Sequence, residues 1–348
     1  MTRPPFDDED LPELDTHAPQ TTARAYAPGE LVACPACRRA NAPTRMQCLY
    51  CGAALPAPAA GHEDARRPAL RPLEAWEQGY NVVLRARAED APEVSRELVD
   101  EAARLLRLEP DLFARILAAR TPLPLARLAS TAEAALVERK LSAAGLPVEV
   151  VADETLAVET QPPRQVRRFE FTDAGLTAWT SADSAGQFVA WSELALLVVG
   201  RISRRQIEVE ERSGRRARGE IVETREFYED ESVLDLFAIE GAGNWRVRAE
   251  SFDYTCLGAQ KRLLATENFA RLTATLCARA PAATLDGDYA HLRHLLAAAW
   301  PPAEQTSSGL RRERPGRLNR EAITTVSNEA QFTRYARLRR HFALRART

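Results

Sequence analysis

Apolar and polar positions along the chain change their period more than once. Residues 80–84, Tyr80-Asn-Val-Val-Leu84, form a short apolar run bounded by polar residues and predict a strand. Val94, Leu98, Val99, Ala102, Leu105 and Leu106 then recur at helical spacing, which predicts a helix over 92–107 with one buried stripe. A second helix follows Pro110, with Leu112, Phe113, Ile116 and Leu117. Leu123 to Leu128 reads as a strand. Ser130 opens a capping box with Glu133, and the helix it starts runs to Ala144, with Gly145 as C-cap. Pro147 to Val151 closes this unit as a strand, so the order over 76–153 is βααβαβ.

From about 165 to 250 the period falls to two. Phe169 and Phe171 alternate with Arg168 and Glu170, and Asp173-Ala174-Gly175 reads as a turn. Further strands are expected at Phe188–Trp191, 194–200, 205–212, 220–224, 233–239 and 245–248. A helix follows at about Thr266 to Ala278, with Phe269, Leu272 and Leu276 on one face. Short antiparallel strands followed by one helix resemble a pleckstrin-homology-type antiparallel β-barrel with the helix at its open end; another small β-barrel or a sandwich is the alternative. Residues 281–300 continue as helix and 301–320 read as a polar, arginine-rich loop. A final helix spans about 328–345, where Phe332, Tyr335, Leu338 and Phe342 recur beside Arg334, Arg337 and Arg340.

The expected organisation of the 348 residues is therefore modular. An acidic, disordered tail (1–30) carries Asp7, Asp8, Glu9, Asp10, Glu13 and Asp15. A small cysteine module (31–54) and a Pro/Ala-rich linker (55–75) follow. Then come the α/β domain (76–153), a second linker (154–164), the β-domain (165–280) and a helical, arginine-rich extension (281–348). The fold class is multidomain α+β. Net charge is −2, so the whole chain has no electrostatic bias toward nucleic acid. Lys140 and Lys261 are the only lysines, and the excess of arginine and alanine indicates a GC-rich genome. No basic-then-apolar leader opens the chain, and the longest clean apolar run, Leu194–Val199, is too short to span a bilayer. These features point to a bacterial cytoplasmic protein with no transmembrane segment.

The chemistry most firmly written in the chain lies at 34–51. Cys34 and Cys37 form one Cys-x-x-Cys knuckle, and Cys48 and Cys51 form a second after a ten-residue spacer. Each knuckle sets two thiolates on one side of an ion, and two knuckles complete a tetrahedron for one structural zinc. Four sulfur ligands leave no position for water, which excludes a catalytic metal at this place. Pro35 restricts the first knuckle, and Gly52 permits a positive φ after the second. Arg38, Arg39 and Arg45 temper the thiolate charge. Two disulfides are the alternative and require an oxidising compartment. Cys256 and Cys277 stand far apart and read as buried free thiols.

This segment resembles the zinc ribbons found near the N-terminus of many bacterial proteins. The βααβαβ order, with AEAALVERKLSAAGLPVEVV (132–151) at its end, resembles the C-terminal domain of the ribosomal stalk protein and the related N-end-rule adaptor of the Clp protease. Neither family's binding residues are present. Glu93, Glu97, Asp100 and Glu101 replace the stalk's basic helix surface, and Glu89, Asp90 and Pro92 only partly match the adaptor motif. The phrase FVAWSELALLVVGRI (188–202), with Trp191 in its turn, is similar to a strand–turn–strand element of pleckstrin-homology-like domains. These resemblances imply modules that bind macromolecules and supply no catalytic residue.

Other constellations are poorer in chemistry. Asp286, Asp288, His291 and His294 lack metallopeptidase spacing, and the two histidines read as surface residues. No Gly-rich phosphate loop and no Gly-x-Ser-x-Gly elbow occurs. Arg334, Arg337 and Arg340 beside aromatics are candidates for nucleic-acid or anion contacts; a helix docked on the chain's own β-domain is the competing reading. The expected function is a non-catalytic adaptor or scaffold with a protein partner. A nucleic-acid- or ribosome-associated factor is the first alternative, and an enzyme with a site between the folded domains is the second.

Overall fold

A computed structural model describes residues 26, 31–56, 68–74, 77–88, 90–158, 160–181, 184–212, 221–239, 244–314 and 317–347. The acidic segment 1–30, apart from Tyr26, lies outside the described residues, as do positions 57–67 of the expected linker. The chain divides into two compact units, 1–69 and 70–348.

The first unit contains a two-stranded antiparallel ribbon, β1 (Val32–Ala33) and β2 (Ala40–Asn41), with Val32 opposite Asn41. Its buried core is Cys34, Cys48 and Leu55, with Val32, Cys37 and Ala53 packed against it. So small a core cannot offset the chain entropy of folding without a further cross-link.

The second unit begins with β3 (Tyr80–Leu84), α1 (Arg96–Leu106), α2 (Pro110–Ala118), β4 (Leu123–Leu128), α3 (Thr131–Ala143), β5 (Val148–Ala152) and the single turn α4 (Asp153–Leu156). β3 lies between β4 and β5, antiparallel to both. Local signals set the helix ends. Ser95 Oγ accepts from Leu98 N and Ser130 Oγ from Glu133 N, each at 3.3 Å. Gly145 takes φ 82° just past α3. The other half of the expected capping box is absent: Glu133 Oε1 instead accepts from Leu70 N at 2.9 Å.

The remaining elements are β6 (Arg164–Val166), β7 (Arg168–Phe171), β8 (Gly175–Trp179), β9 (Gln187–Ala190), β10 (Leu194–Arg212), β11 (Ile221–Ala238), β12 (Asn244–Arg248), α5 (Ala265–Arg279), β13 (Thr284–Asp286), α6 (Tyr289–Leu296), β14 (Ala303–Arg314), β15 (Arg317–Ser327) and α7 (Glu329–Arg345). They correct four expectations. The strands do not close into an antiparallel barrel. One sheet has the open order β14-β15-β10-β11-β12-β6, with β13 also on β10; a second is β7-β8-β9. The pairs β12–β6 and β10–β13 are parallel. The segments 194–200 and 205–212 form one 19-residue strand, β10, and β11 runs 18 residues beside it. The arginine-rich stretch expected as loop is the β14–β15 hairpin, and 281–300 is helical only over α6 and the turn after it.

Two apolar cores lie on opposite faces of the β10–β11 base. One holds Ala195, Leu196, Val198, Val233 and Phe237 together with Val83, Phe113 and Leu125 of the βααβαβ segment and Trp300, Phe332 and Tyr335 of the C-terminal elements. The other holds Leu194, Leu197, Leu234 and Leu236 with Phe169, Leu176 and Trp191 of the β7–β9 region, Trp245 of β12, and Phe269, Leu272 and Leu276 of α5. A strand covered on both faces needs apolar residues at every position, which explains the unbroken run Leu194–Val199. α7 is pinned to this sheet by Arg246. Its guanidinium donates to Asp235 at 2.7 and 2.8 Å and to Thr333 Oγ1 at 3.0 Å, all buried. No helix among the described residues is long and apolar enough to cross a membrane.

Candidate metal centre

The four predicted thiols converge. The sulfurs of Cys34, Cys37, Cys48 and Cys51 all lie within 4.8 Å of one another. Two pairs meet across the knuckles: Cys34–Cys51 at 3.6 Å and Cys37–Cys48 at 3.5 Å. A tetrahedron of zinc–sulfur bonds of about 2.3 Å has sulfurs about 3.8 Å apart, so the cluster is compatible with a zinc cage. A disulfide needs about 2.05 Å, and all four cysteines are free thiols.

The two knuckles share one backbone form. Arg38 N donates to Cys34 O at 2.8 Å, and Gly52 N donates to Cys48 O at 3.0 Å. The fifth residue of each turn is left-handed, Arg38 at φ 59° and Gly52 at φ 73°. Gly52 was legible from sequence as a residue free to take this shape; Arg38 was not. Asn41 was also missed, because one Asn in a polar spacer gives no signal. It is buried and links three parts of the site. Its Nδ2 donates to Arg39 O at 2.8 Å and lies 3.5 Å from Cys48 Sγ, while its Oδ1 accepts from Leu49 N at 2.9 Å. Such partners orient a ligand and favour its thiolate.

The electrostatics of the cage are uneven. Burial works to raise the Cys48 thiol, but the N–H groups of Tyr50 and Cys51 and the Asn41 amide outweigh it and bring it down to about 6. Cys34 is lowered chiefly by the Cys37 N–H. The Ala53 N–H pulls Cys51 down, yet the neighbouring sulfurs and burial together push it up to about 12. Four crowded sulfurs cannot all ionise without a cation among them. The donor set therefore fits one divalent, thiophilic ion held without an open position.

The knuckle surface is exposed. Leu49 is 61 % and Tyr50 53 % exposed, and the Arg39 guanidinium carbon lies 4.7 Å over the Tyr50 ring. Residues 31–56 contain Arg38, Arg39 and Arg45 and no carboxylate side chain.

The other predicted residues do not form a second centre. Asp286 is buried against the Tyr335 hydroxyl, at 2.9 and 3.1 Å, and against Arg339, while His291 and His294 are exposed. Among the described residues the four cysteines are the metal-competent group. Arg337 is 3 % exposed, donates to Gln161 O and stacks on Phe237 at 5.7 Å, with Arg340 over the same ring at 5.9 Å. Burial, with Arg340 beside it, pulls Arg337 down to about 10. Arg334 is half-buried and lines a cleft of about 710 Å³ walled by Leu70, Leu106, Leu112 and Trp300. A larger cleft of about 890 Å³ is polar, but its Glu231 and Glu329 are tied to Arg248. No His or Cys is among the described residues lining either cleft.

Comparison with known proteins returns no matching family, no matching curated protein and no matching solved structure. Of the resemblances drawn from sequence, the zinc-ribbon-like cysteine cluster alone has support in the structure.

Proposed function

We propose that the chain is a non-catalytic adaptor or scaffold that uses a zinc-clasped ribbon to hold other macromolecules, with a protein as its principal partner. The observation that carries this reading is the exposed Leu49–Tyr50 pair on a ribbon whose four sulfurs lie within 4.8 Å of one another. A metal that takes all four leaves no site for chemistry and makes the turn rigid. An apolar–aromatic pair on a rigid turn is suited to recognition. The free thiols agree with a reducing cytoplasm. We read the βααβαβ segment 76–153 as a stalk- or adaptor-like module by fold-level analogy.

One observation favours a second reading, nucleic-acid binding by the ribbon: Arg39 stacked on Tyr50 in a segment with three arginines and no carboxylate. Affinity purification of the full chain from its host, with and without nuclease, beside a Leu49→Ser/Tyr50→Ser variant, separates the two. Proteins that survive nuclease and are lost from the variant support the adaptor. Loss of every captured component on nuclease treatment supports the nucleic-acid reading. Capture unaltered in the variant overturns both.

A further inference from the structure

Away from the ribbon, the turn between the 3₁₀ segment Tyr254–Gln260 and α5 holds the most exposed large apolar side chain among the described residues. Leu263 is 97 % exposed and Leu264 beside it 56 %. The turn is built. Asn268, buried in the first turns of α5, accepts from Arg262 N at 2.6 Å and donates to Arg262 O at 2.9 Å. Gly258 enters the turn at φ 51°, a conformation that favours glycine. Leu257 before the turn and Phe269 after it are both anchored in the second core. Lys261 through Leu264 are all exposed, so the sequence Lys-Arg-Leu-Leu forms a fixed ridge.

Four cations lie on or beside the ridge: Lys261, Arg262, Arg167 and Arg168. Asp253 N donates to Arg167 O at 2.7 Å, and Asp253 reaches Lys261 Nζ at 3.9 Å, so the exposed Arg167 and Arg168 border the same end of the molecule. Arg168 also lies 4.1 Å over the Trp179 ring. Against these four cations the same segments carry Glu170, Asp253 and Glu267. A four-residue ridge offers far less than the roughly 800 Å² per partner that a stable protein interface buries. A bilayer surface sets no such threshold, because it takes apolar side chains one at a time while headgroup phosphates attract neighbouring cations.

We propose that the Lys261–Leu264 ridge anchors the protein peripherally to an anionic lipid bilayer. Leu263 and Leu264 enter the boundary of the acyl region, and Lys261 and Arg262 lie at the headgroups. The test is co-sedimentation of the full chain with vesicles of phosphatidylcholine alone and of phosphatidylcholine mixed equally with phosphatidylglycerol. The wild-type chain sediments with the mixed vesicles and stays in solution with phosphatidylcholine. Leu263→Ser with Leu264→Ser weakens binding by about tenfold or more. Lys261→Gln with Arg262→Gln weakens it by roughly tenfold and blunts its salt dependence. All four side chains are exposed, so circular dichroism and melting of the variants match wild type. Failure of the wild type to sediment overturns the proposal, as does binding that the double serine variant retains. A wild-type dimer that the serine variant dissociates, with no vesicle binding by either, assigns the ridge to a protein contact and overturns it equally.

Discussion

The indole N–H of Trp300 donates to Oδ1 of Asn81 at 2.8 Å, with both side chains buried. Asn81 lies in the central strand β3, and its amide donates in turn to Val151 O at 3.0 Å and to Asp153 Oδ1 at 2.8 Å. Asp153 Oδ2 accepts from Gly79 N and from Arg127 Nε, each at 2.8 Å. One proton on a C-terminal residue thus completes a polar network rooted in the βααβαβ segment. Trp300→Phe keeps most of the ring volume and leaves Oδ1 dry. The expected loss is about 1–3 kcal/mol in urea unfolding. Adding Asn81→Ala to that variant costs less than it does alone, because the two side chains are coupled.

Gly200 marks a second close approach. A Cβ at this position would lie 2.2 Å from the Phe332 ring. Gly200→Ala forces α7 away from β10, and a loss of roughly 1–3 kcal/mol or more is expected from overpacking. Phe332→Leu in the same chain recovers part of the loss even though it destabilises alone. Thermal melting of the four proteins in the cycle checks this.

The ribbon prediction concerns metal content. Protein purified without a tag carries one zinc per chain by elemental analysis. Cys48→Ser removes one of the four thiolates and drops the stoichiometry toward zero. A strong chelator releases four titratable thiols, whereas disulfides would release none. Hydrogen exchange at Cys48, Gly52 and Leu55, whose amides are bonded within the ribbon, quickens on metal removal.

Arg38 makes a test of the opposite sign. It holds φ 59° in the position where the other knuckle has Gly52. A side chain in the left-handed region costs about 1–2 kcal/mol, so Arg38→Gly is expected to tighten zinc binding by up to about tenfold in competition with a chromophoric chelator. Arg38→Val weakens it, since β-branching makes that conformation worse.

Glu77 supplies a pH prediction. Its carboxylate accepts from Arg71 at 2.6 and 2.8 Å and from Glu74 N at 2.8 Å. The Arg71 hydrogen bonds, then the Glu74 amide, hold it down at about 2 from an ordinary 4.5. A carboxylate whose folded pKa is depressed contributes stability above its unfolded pKa and loses it as pH falls. For Glu77 that window runs from about 4.5 down to about 2. Carbon-detected titration of the Glu77 carboxyl should show the low midpoint, and Arg71→Ala should return it toward the ordinary value.

What sequence could read was local or chemical. Ser130, Pro110 and Gly145 punctuate helices through their own backbone preferences, and α2 and α3 begin or end where those residues stand. Two cysteine knuckles define a metal cage without reference to anything distant. The sheet geometry was harder to see. Leu194–Val199 was visible as a strand, but nothing in it tells that two separate cores cover its faces. Residues 301–320 read as loop because Thr, Ser, Glu and Arg fill them and give no apolar face to count, yet β14 and the start of β15 lie there. Sequence leaves Arg337 open between a nucleic-acid contact and a docked helix; it is covered by packing around Phe237, a residue a hundred positions earlier. Burial of that kind belongs to the tertiary fold and leaves no periodic trace.

Phe332, Tyr335 and Leu338 fill a core whose other walls are translated much earlier. A nascent chain halted short of Glu329 would display the underside of β10, with Phe237 and Trp300, as uncovered oily surface. Vectorial synthesis therefore postpones closure of the 70–348 unit until α7 clears the exit tunnel. In the cell, chaperone engagement should last until α7 has emerged, and variants that lack only this helix should aggregate before they lose any strand.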